Sequence, residues 1–243
     1  MVNLFEFRLR TNKMENSMSD LIPDLVLQDN TSQRLPCVII VDGSTSMNGK
    51  AIKNLNEGLS VLERELKADD IASMRVQILV IRIGAGNLRS EDAEVLTDWT
   101  DAIDFNAPQI TANGMTPLGK GVKLGLKKIE EQKKLYRDNQ ITYNRPWMFI
   151  ITDGAPTDRD WEKAAASARK AEEQGKVVMF PIGTEDANFE NLDKFSTRSA
   201  MMLKNLDFKE LFVWLSQSVS VGSQTEIGSE TQLPAASWGA VPS

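Results

Sequence analysis

The 243-residue chain contains no histidine. That absence removes the commonest general base and the commonest zinc ligand together. A histidine-dependent catalytic triad and a zinc site of the His/Cys kind are both excluded. Any metal site must be built from oxygen donors, which points to Mg²⁺, Mn²⁺ or Ca²⁺. Cysteine is nearly absent as well: Cys37 stands alone, so an intrachain disulfide is impossible. It lies in the apolar run from Cys37 to Val41 and reads as a small buried hydrophobe. No excess of basic residues is present either; the formal net charge is -6. General nucleic-acid affinity needs a basic patch that releases counterions, so no nucleic-acid partner is expected. No stretch approaches the roughly 20 apolar residues of a membrane helix, and no membrane partner is expected. The first ten residues lack a long apolar core and a small-residue cleavage site, so no secretory signal is read there. A cytoplasmic location is the expectation.

What the chain does have is ordinary for a globular protein, with 41% hydrophobic and 26% charged residues. No repeat at solenoid periods is found. Residues 1–34 are mixed and polar, with an amphipathic patch at Leu21, Ile22, Leu25, Val26 and Leu27. They read as an extension that packs on the domain or on a partner. Residues 222–243 are rich in Gly, Ser, Gln and Thr and read as a flexible tail. Trp238 within them either packs back onto the domain or anchors a partner.

Between these ends strands and helices alternate. Cys37–Val41 is a continuous apolar run, as expected of a strand covered on both faces. Ile52, Leu55, Leu59, Leu62 and Leu66 recur at helical spacing. Met74–Ile83 is a second strand, and Glu94–Trp99 a third, at an edge. A long helix runs from Pro117 to about Tyr136, and its charged stretch Lys127–Lys134 reads as a solvated face. Trp147–Thr152 is a buried strand. Trp161–Gln174 is an Ala-rich helix with Asp160 placed to cap it and Gly175 to stop it. Lys176–Ile182 is a strand and Ala200–Leu203 a short last one. Phe208, Phe212, Leu215 and Val219 line a final helix. Trp99, Trp147, Trp161 and Trp214 fall in these elements and read as core. The alternation predicts an α/β, doubly wound, mostly parallel sheet with one antiparallel edge strand and helices on both faces. Residues 35–221 form this domain. Ligands in such folds bind beyond the carboxyl ends of the strands, where the strand order reverses.

Three loops follow or face such strand ends. Asp42, Ser44 and Ser46 alternate in an extended turn and can aim a carboxylate and two hydroxyls at one point. The same turn could instead cap the next helix through Ser44 or Ser46. Thr116 before Pro117 suits a helix cap followed by proline at the first helical position. Asp153 and Gly154 also make a common turn pair. Taken together, however, Asp42, Ser44, Ser46, Thr116 and Asp153 supply a mixed set of hard oxygens. Two carboxylates balance a divalent charge without saturating its coordination, which leaves a position for a carboxylate from another molecule. Asp158 and Asp160 read as caps. Asn48 and Gly49 read as a local turn. Thr184, Glu185 and Asp186 follow a strand end and either rim the metal face or form an ordinary loop.

The pattern Asp-x-Ser-x-Ser, a distant Thr, then Thr-Asp-Gly resembles the metal-ion-dependent adhesion site of von Willebrand factor A domains. The resemblance implies that Asp42, Ser44, Ser46 and Thr116 contact a metal directly or through water, with Asp153 often working through water. The stretches 35–42, 55–59, 114–119, 143–147, 151–156 and 211–216 look like the bacterial TerY/YegL group over roughly residues 34–221. Proteins of that group are linked to tellurium-resistance and stress-response loci, often with a metal-dependent phosphatase and a kinase. What this implies is a binding module rather than an enzyme, holding Mg²⁺ (or Mn²⁺/Ca²⁺) toward an Asp or Glu of a protein partner, with an associated kinase or phosphatase as a candidate. One departure stands out: the family's first motif usually reads Asp-Thr-Ser-Gly-Ser, whereas Gly43 and Thr45 exchange the two spacers here. Two other readings stay open. One is a scaffold with a purely structural metal. The other is a metal-dependent phosphotransferase with Asp42 as nucleophile, although Ser44 stands where a second acid would be needed.

Overall fold

The computed structural model describes residues 30, 32–85 and 92–240. Contacts group Gln33–Ser243 as one compact unit. The amphipathic patch at 21–27 lies outside the described residues.

The first strand of the described residues is β1 (Leu35–Asp42), every residue of which is buried. Side chains alternate across a strand, so Leu35, Cys37, Ile39 and Val41 enter one core cluster. Val38 and Ile40 enter the other. Two buried faces require two covering layers, and the helices supply them. Helix α1 (Lys50–Ala68) buries Leu55, Leu59, Leu62 and Leu66. It leads through the short α2 (Ala72–Arg75) to β2 (Val76–Ala85) and β3 (Asp92–Asp101). Helix α3 (Leu118–Asp138), β4 (Trp147–Thr152), α4 (Trp161–Glu173) and β5 (Val178–Thr184) follow. The chain then forms α5 (Phe189–Asp193), β6 (Met201–Leu203), α6 (Phe208–Gln224) and β7 (Gly239–Ala240).

The sheet order is β3-β2-β1-β4-β5-β6-β7. β1 pairs in parallel with β2 and with β4, and β5 with β4 and with β6. β3 is antiparallel, as expected for an edge. The two-residue β7 adds a second antiparallel edge that composition did not announce. After β1 the chain winds outward through β2 and β3, then returns to lay β4 on the other flank of β1. The reversal of strand order therefore falls between the carboxyl ends of β1 and β4, a crevice where open α/β sheets bind ligands.

Two polar features sit where hydropathy predicted otherwise. Lys133, inside the charged stretch of α3, is buried; its ammonium donates to the carbonyl of Lys176 at 2.7 Å and pairs with Glu130 at 3.0 Å. Arg34, just before β1, is fully buried, and its guanidinium meets Asp101 at 3.0 Å. Gln77 donates to the other Asp101 oxygen at 2.6 Å, and Tyr136 and Gln132 both donate to Gln77. Arg34 thus belongs to the folded domain rather than to the extension.

Trp238 is 3% exposed and lies edge-on to Trp214, with ring centroids 5.3 Å apart. Of the two roles open to it, packing back onto the domain is the one the structure shows. The segment read as a flexible tail therefore carries an ordered contact, because burying one tryptophan offsets the entropy of fixing a short strap.

Candidate metal centre

Asp42 ends β1 and is completely buried. Its Oδ1 accepts the Ser44 amide at 2.8 Å, and its Oδ2 accepts the Thr152 hydroxyl. Burial nonetheless dominates and raises its pKa to about 6, with the Thr152 and Ser44 bonds opposing that rise. Ser44 and Ser46 place their hydroxyl oxygens 3.0 Å apart, and the Ser46 hydroxyl donates to Asp153 Oδ1 at 2.9 Å. Burial raises the Asp153 pKa as well, and the nearby Asp186 charge adds to the rise.

Thr116 lies beside the third loop. A Cβ placed on Gly154 would lie 3.5 Å from Thr116 Oγ1, so the hydroxyl faces the turn that follows Asp153. Two backbone-level bonds with Thr157 hold it there: the Thr116 amide donates to the Thr157 hydroxyl at 3.1 Å, and the Thr157 amide donates to the Thr116 carbonyl at 2.9 Å. The three loops thus converge. Asp42, Ser44, Ser46 and Asp153 are joined in one chain of hydrogen bonds, and the Thr116 hydroxyl lies beside Gly154.

The capping alternatives are resolved differently from the sequence reading. Neither Ser44 nor Thr116 makes a side-chain cap bond; Pro117 takes the cap position of α3. The carboxylate of Asp158 does the capping, accepting the amides of Gly119 at 3.1 Å and Lys120 at 3.0 Å. Asp160 makes no cap bond and pairs with Lys163 at 2.8 Å instead. Thr116 is thereby left free of helix duty.

The exchanged spacers have a structural reason. A Cβ on Gly43 would lie 2.6 Å from Arg82 Nε and 3.1 Å from the Thr111 carbonyl oxygen, so a larger residue would have to displace the Arg82 side chain. Thr45 uses both its amide, at 3.1 Å, and its hydroxyl, at 3.0 Å, to reach the Gly114 carbonyl oxygen. That ties the first loop to the second. The Gly43 carbonyl accepts the Asn113 amide at 2.6 Å and strengthens the same link. Gly84, at φ +80°, closes the floor: a Cβ there would come within 2.7 Å of the Ser44 nitrogen.

The donor set suits a hard cation. It offers two carboxylates and three hydroxyls, with no nitrogen or sulfur. Among the described residues no group of three or more His, Cys, Asp or Glu side chains gathers anywhere, so hydroxyls are indispensable to any such site. Two carboxyls held above their ordinary range by burial are groups that a bound cation would return to the charged form. Sequence reasoning assigned no ligand or orienting role to Thr152 or Thr45; its reading of Asp158 as a cap holds. The Thr-Asp-Gly pattern contained Thr152, but its bond to Asp42 spans 110 positions and leaves no local signal.

A larger cavity of about 430 Å³ opens at the amino ends of β4 and β5, lined by Trp147, Phe180, Arg145 and Arg198 among others. It lies at the far end of the sheet from these loops.

No helix of the described residues is long and apolar enough to cross a membrane. Solved structures share the fold. A von Willebrand factor type A protein from Catenulispora acidiphila matches with TM-score 0.53 and 18% identity over 76% of this chain and 43% of that one. The vWF domain of the type V pili tip protein Mfa5 from Porphyromonas gingivalis matches with TM-score 0.57 and 10% identity, covering 82% of this chain and 99% of that one. The pilus adhesin SpaC from Lactobacillus rhamnosus GG, in its open conformation, matches with TM-score 0.60 and 13% identity over 79% and 31%. The chain thus spans less than half the length of the first and third of these proteins. No curated protein matches. The von Willebrand factor type A domain family matches residues 37–213, most of the chain. With that match and this fold, the chain belongs to the von Willebrand factor type A domain family.

Proposed function

We propose that this domain is a metal-dependent protein-binding module. Asp42, Ser44, Ser46, Thr116 and Asp153 would hold one divalent cation, Mg²⁺ or else Mn²⁺ or Ca²⁺. When bound, the cation supplies a Lewis-acidic position that an Asp or Glu of a protein partner can occupy. The observation that carries the reading is the convergence of both carboxylates and both serines at the switch point between β1 and β4, in one hydrogen-bonded chain.

The chain's own residues divide the work. Asp42 is the buried anchor, held in orientation by Thr152 and by the Ser44 amide. Ser46 bridges to Asp153 and fixes it at the mouth. Thr45 and Asn113 lock the first two loops together, so that the partner's carboxylate would meet a preorganised face.

The TerY/YegL-like stretches support a finer reading: a bacterial, cytoplasmic role in stress or defence signalling of the tellurium-resistance kind, with an associated kinase or phosphatase as partner. The function is binding, with no catalytic step. A pull-down from bacterial lysate with the full chain, in Mg²⁺ and in EDTA, tests it alongside Asp42→Ala. Capture that vanishes in EDTA and in the variant, with an unchanged circular dichroism spectrum, is the expected result. Capture indifferent to EDTA would instead mean a scaffold whose metal is structural.

A further inference from the structure

A recess of about 240 Å³ lies beside the candidate metal centre, lined by Lys50, Thr184, Glu185, Asp186, Asn205 and Leu206. Its position follows from strand register. Thr152 pairs with Gly183 across β4 and β5, so Thr184 stands level with Asp153 on the neighbouring strand. Adjacent strands are about 4.8 Å apart. Alternation sets Thr184 on the same face as Phe180 and Ile182, toward α1, whose first residue is Lys50. The recess and the metal loops therefore share one rim.

The lining offers polar groups that the fold leaves open. Thr184 is 3% exposed, yet its hydroxyl has no hydrogen-bond partner among the described residues. The hydroxyl is not one of the fully buried unpaired atoms, so the recess is where it meets solvent and where a ligand could pair with it. Asp186, exposed to solvent, accepts no hydrogen bond and forms no ion pair among the described residues. Glu185 takes the Asn205 amide on Oε1 at 3.1 Å and keeps its second oxygen. At 240 Å³ the recess falls below the roughly 300 Å³ at which small-molecule pockets begin, which suits one long side chain.

Negative charge outweighs positive: two carboxylates stand against one ammonium, with Thr184 and Asn205 neutral, and Lys50 is exposed at a helix start, where its flexible stem can turn to water. A guanidinium or ammonium brings only donors and a positive charge. An acidic side chain would face Asp186 at a like-charge cost. We propose that this recess receives an Arg or Lys side chain from the same partner, next to the carboxylate offered to the metal centre. The partner motif is thus an acidic residue with a basic neighbour. This inference rests on the metal-dependent binding reading above and adds the partner's sequence class to it.

A peptide array tests it. Peptides with a fixed central Asp and with Arg, Lys, Ala or Glu at each of three positions on either side are probed with the full chain in Mg²⁺ and in EDTA. The expected result is Mg²⁺-dependent retention about tenfold stronger for Arg or Lys than for Ala at one or two positions. Thr184→Val should narrow that preference, and Asp186→Lys should turn it toward Glu. Mg²⁺-dependent retention with no preference for a basic neighbour, or a preference that survives Asp186→Lys, overturns the recess assignment and leaves the metal reading standing. Absence of any Mg²⁺-dependent retention overturns both.

Discussion

The Thr152 hydroxyl donates to Asp42 Oδ2 across the seam between the carboxyl ends of β4 and β1. Both groups are fully buried. Asp42 is therefore oriented by a side chain on a different strand, itself pinned by accepting the Gly154 amide at 3.2 Å. The bond joins the two loops that flank the strand-order reversal, so it supports the fold and the candidate site together.

Replacing Thr152 by Val keeps the shape and removes the donor. A buried carboxylate oxygen then loses its partner, which costs about 1–3 kcal/mol. Urea unfolding in EDTA should show a lower midpoint with an unchanged slope. A midpoint equal to wild type would mean that water replaces the hydroxyl at no cost.

Gly84→Ala places a methyl group against the loop that carries Ser44. The position has φ +80°, and the added carbon would meet the Ser44 nitrogen at 2.7 Å, Gly43 C at 2.8 Å and the Asn113 oxygen at 2.9 Å. All three are backbone atoms, so the loops must move apart. Strain of about 1–3 kcal/mol is expected, together with weaker Mg²⁺ binding by calorimetry. Retention of wild-type affinity would show that the loops tolerate displacement.

Glu172 sets an acid dependence far from the metal loops. Its carboxylate, on the inner face of α4, accepts the amides of Met179 at 2.9 Å and Thr197 at 2.6 Å. The hydroxyls of Ser196 and Thr197 each add a bond at 2.9 Å. Burial, the largest single influence, pushes the carboxyl upward, but the four bonds together outweigh it and hold the pKa below the ordinary value of 4.5. A depressed folded pKa means stabilisation that is full above the unfolded value and lost as pH falls through the folded one. Glu172→Gln should therefore lower stability at neutral pH by about 1.5–3 kcal/mol, since bonds to a charged acceptor become neutral ones. The gap to wild type should narrow below about pH 4. Parallel pH–Tm curves for the two chains would contradict this.

Trp238→Ala tests the C-terminal strap. The ring is buried against Trp214, whose indole nitrogen donates to the Pro234 carbonyl at 2.9 Å. Truncating a buried tryptophan costs about 3–5 kcal/mol where the site cannot collapse. Release of residues 225–240 to limited proteolysis, with a smaller loss in Tm because a strap can detach locally, is the expected outcome. A strap as resistant as in the wild type would show that the two bonded residues of β7 suffice to hold it.

Much of the architecture was legible from one dimension. Continuous apolar runs such as 37–41 and 147–152 announce strands buried on both faces, because alternation then has nothing polar to show. The spacing of Leu55, Leu59, Leu62 and Leu66 announces α1 for the complementary reason. The five candidate donors were also readable, since each sits at a strand end or a helix start, where local pattern marks the boundary. By contrast, the second antiparallel edge at β7 was not readable. Two residues carry no period, and their pairing with β6 depends on Trp238 finding Trp214.

The amino-acid order by itself determined which strands and helices form, and which oxygen-bearing side chains stand at their ends, because those properties follow from local periodicity and turn chemistry. The tertiary structure alone decided which of those oxygens meet and what else holds them. Asp158 caps the helix whose cap the local sequence offers to Thr116, Thr45 reaches Gly114, and Thr152 reaches Asp42. Each of these is a short-range bond between positions 38 to 110 residues apart. A hydrogen bond depends on distance in space, and only packing of the sheet against its two helical layers brings such partners within reach.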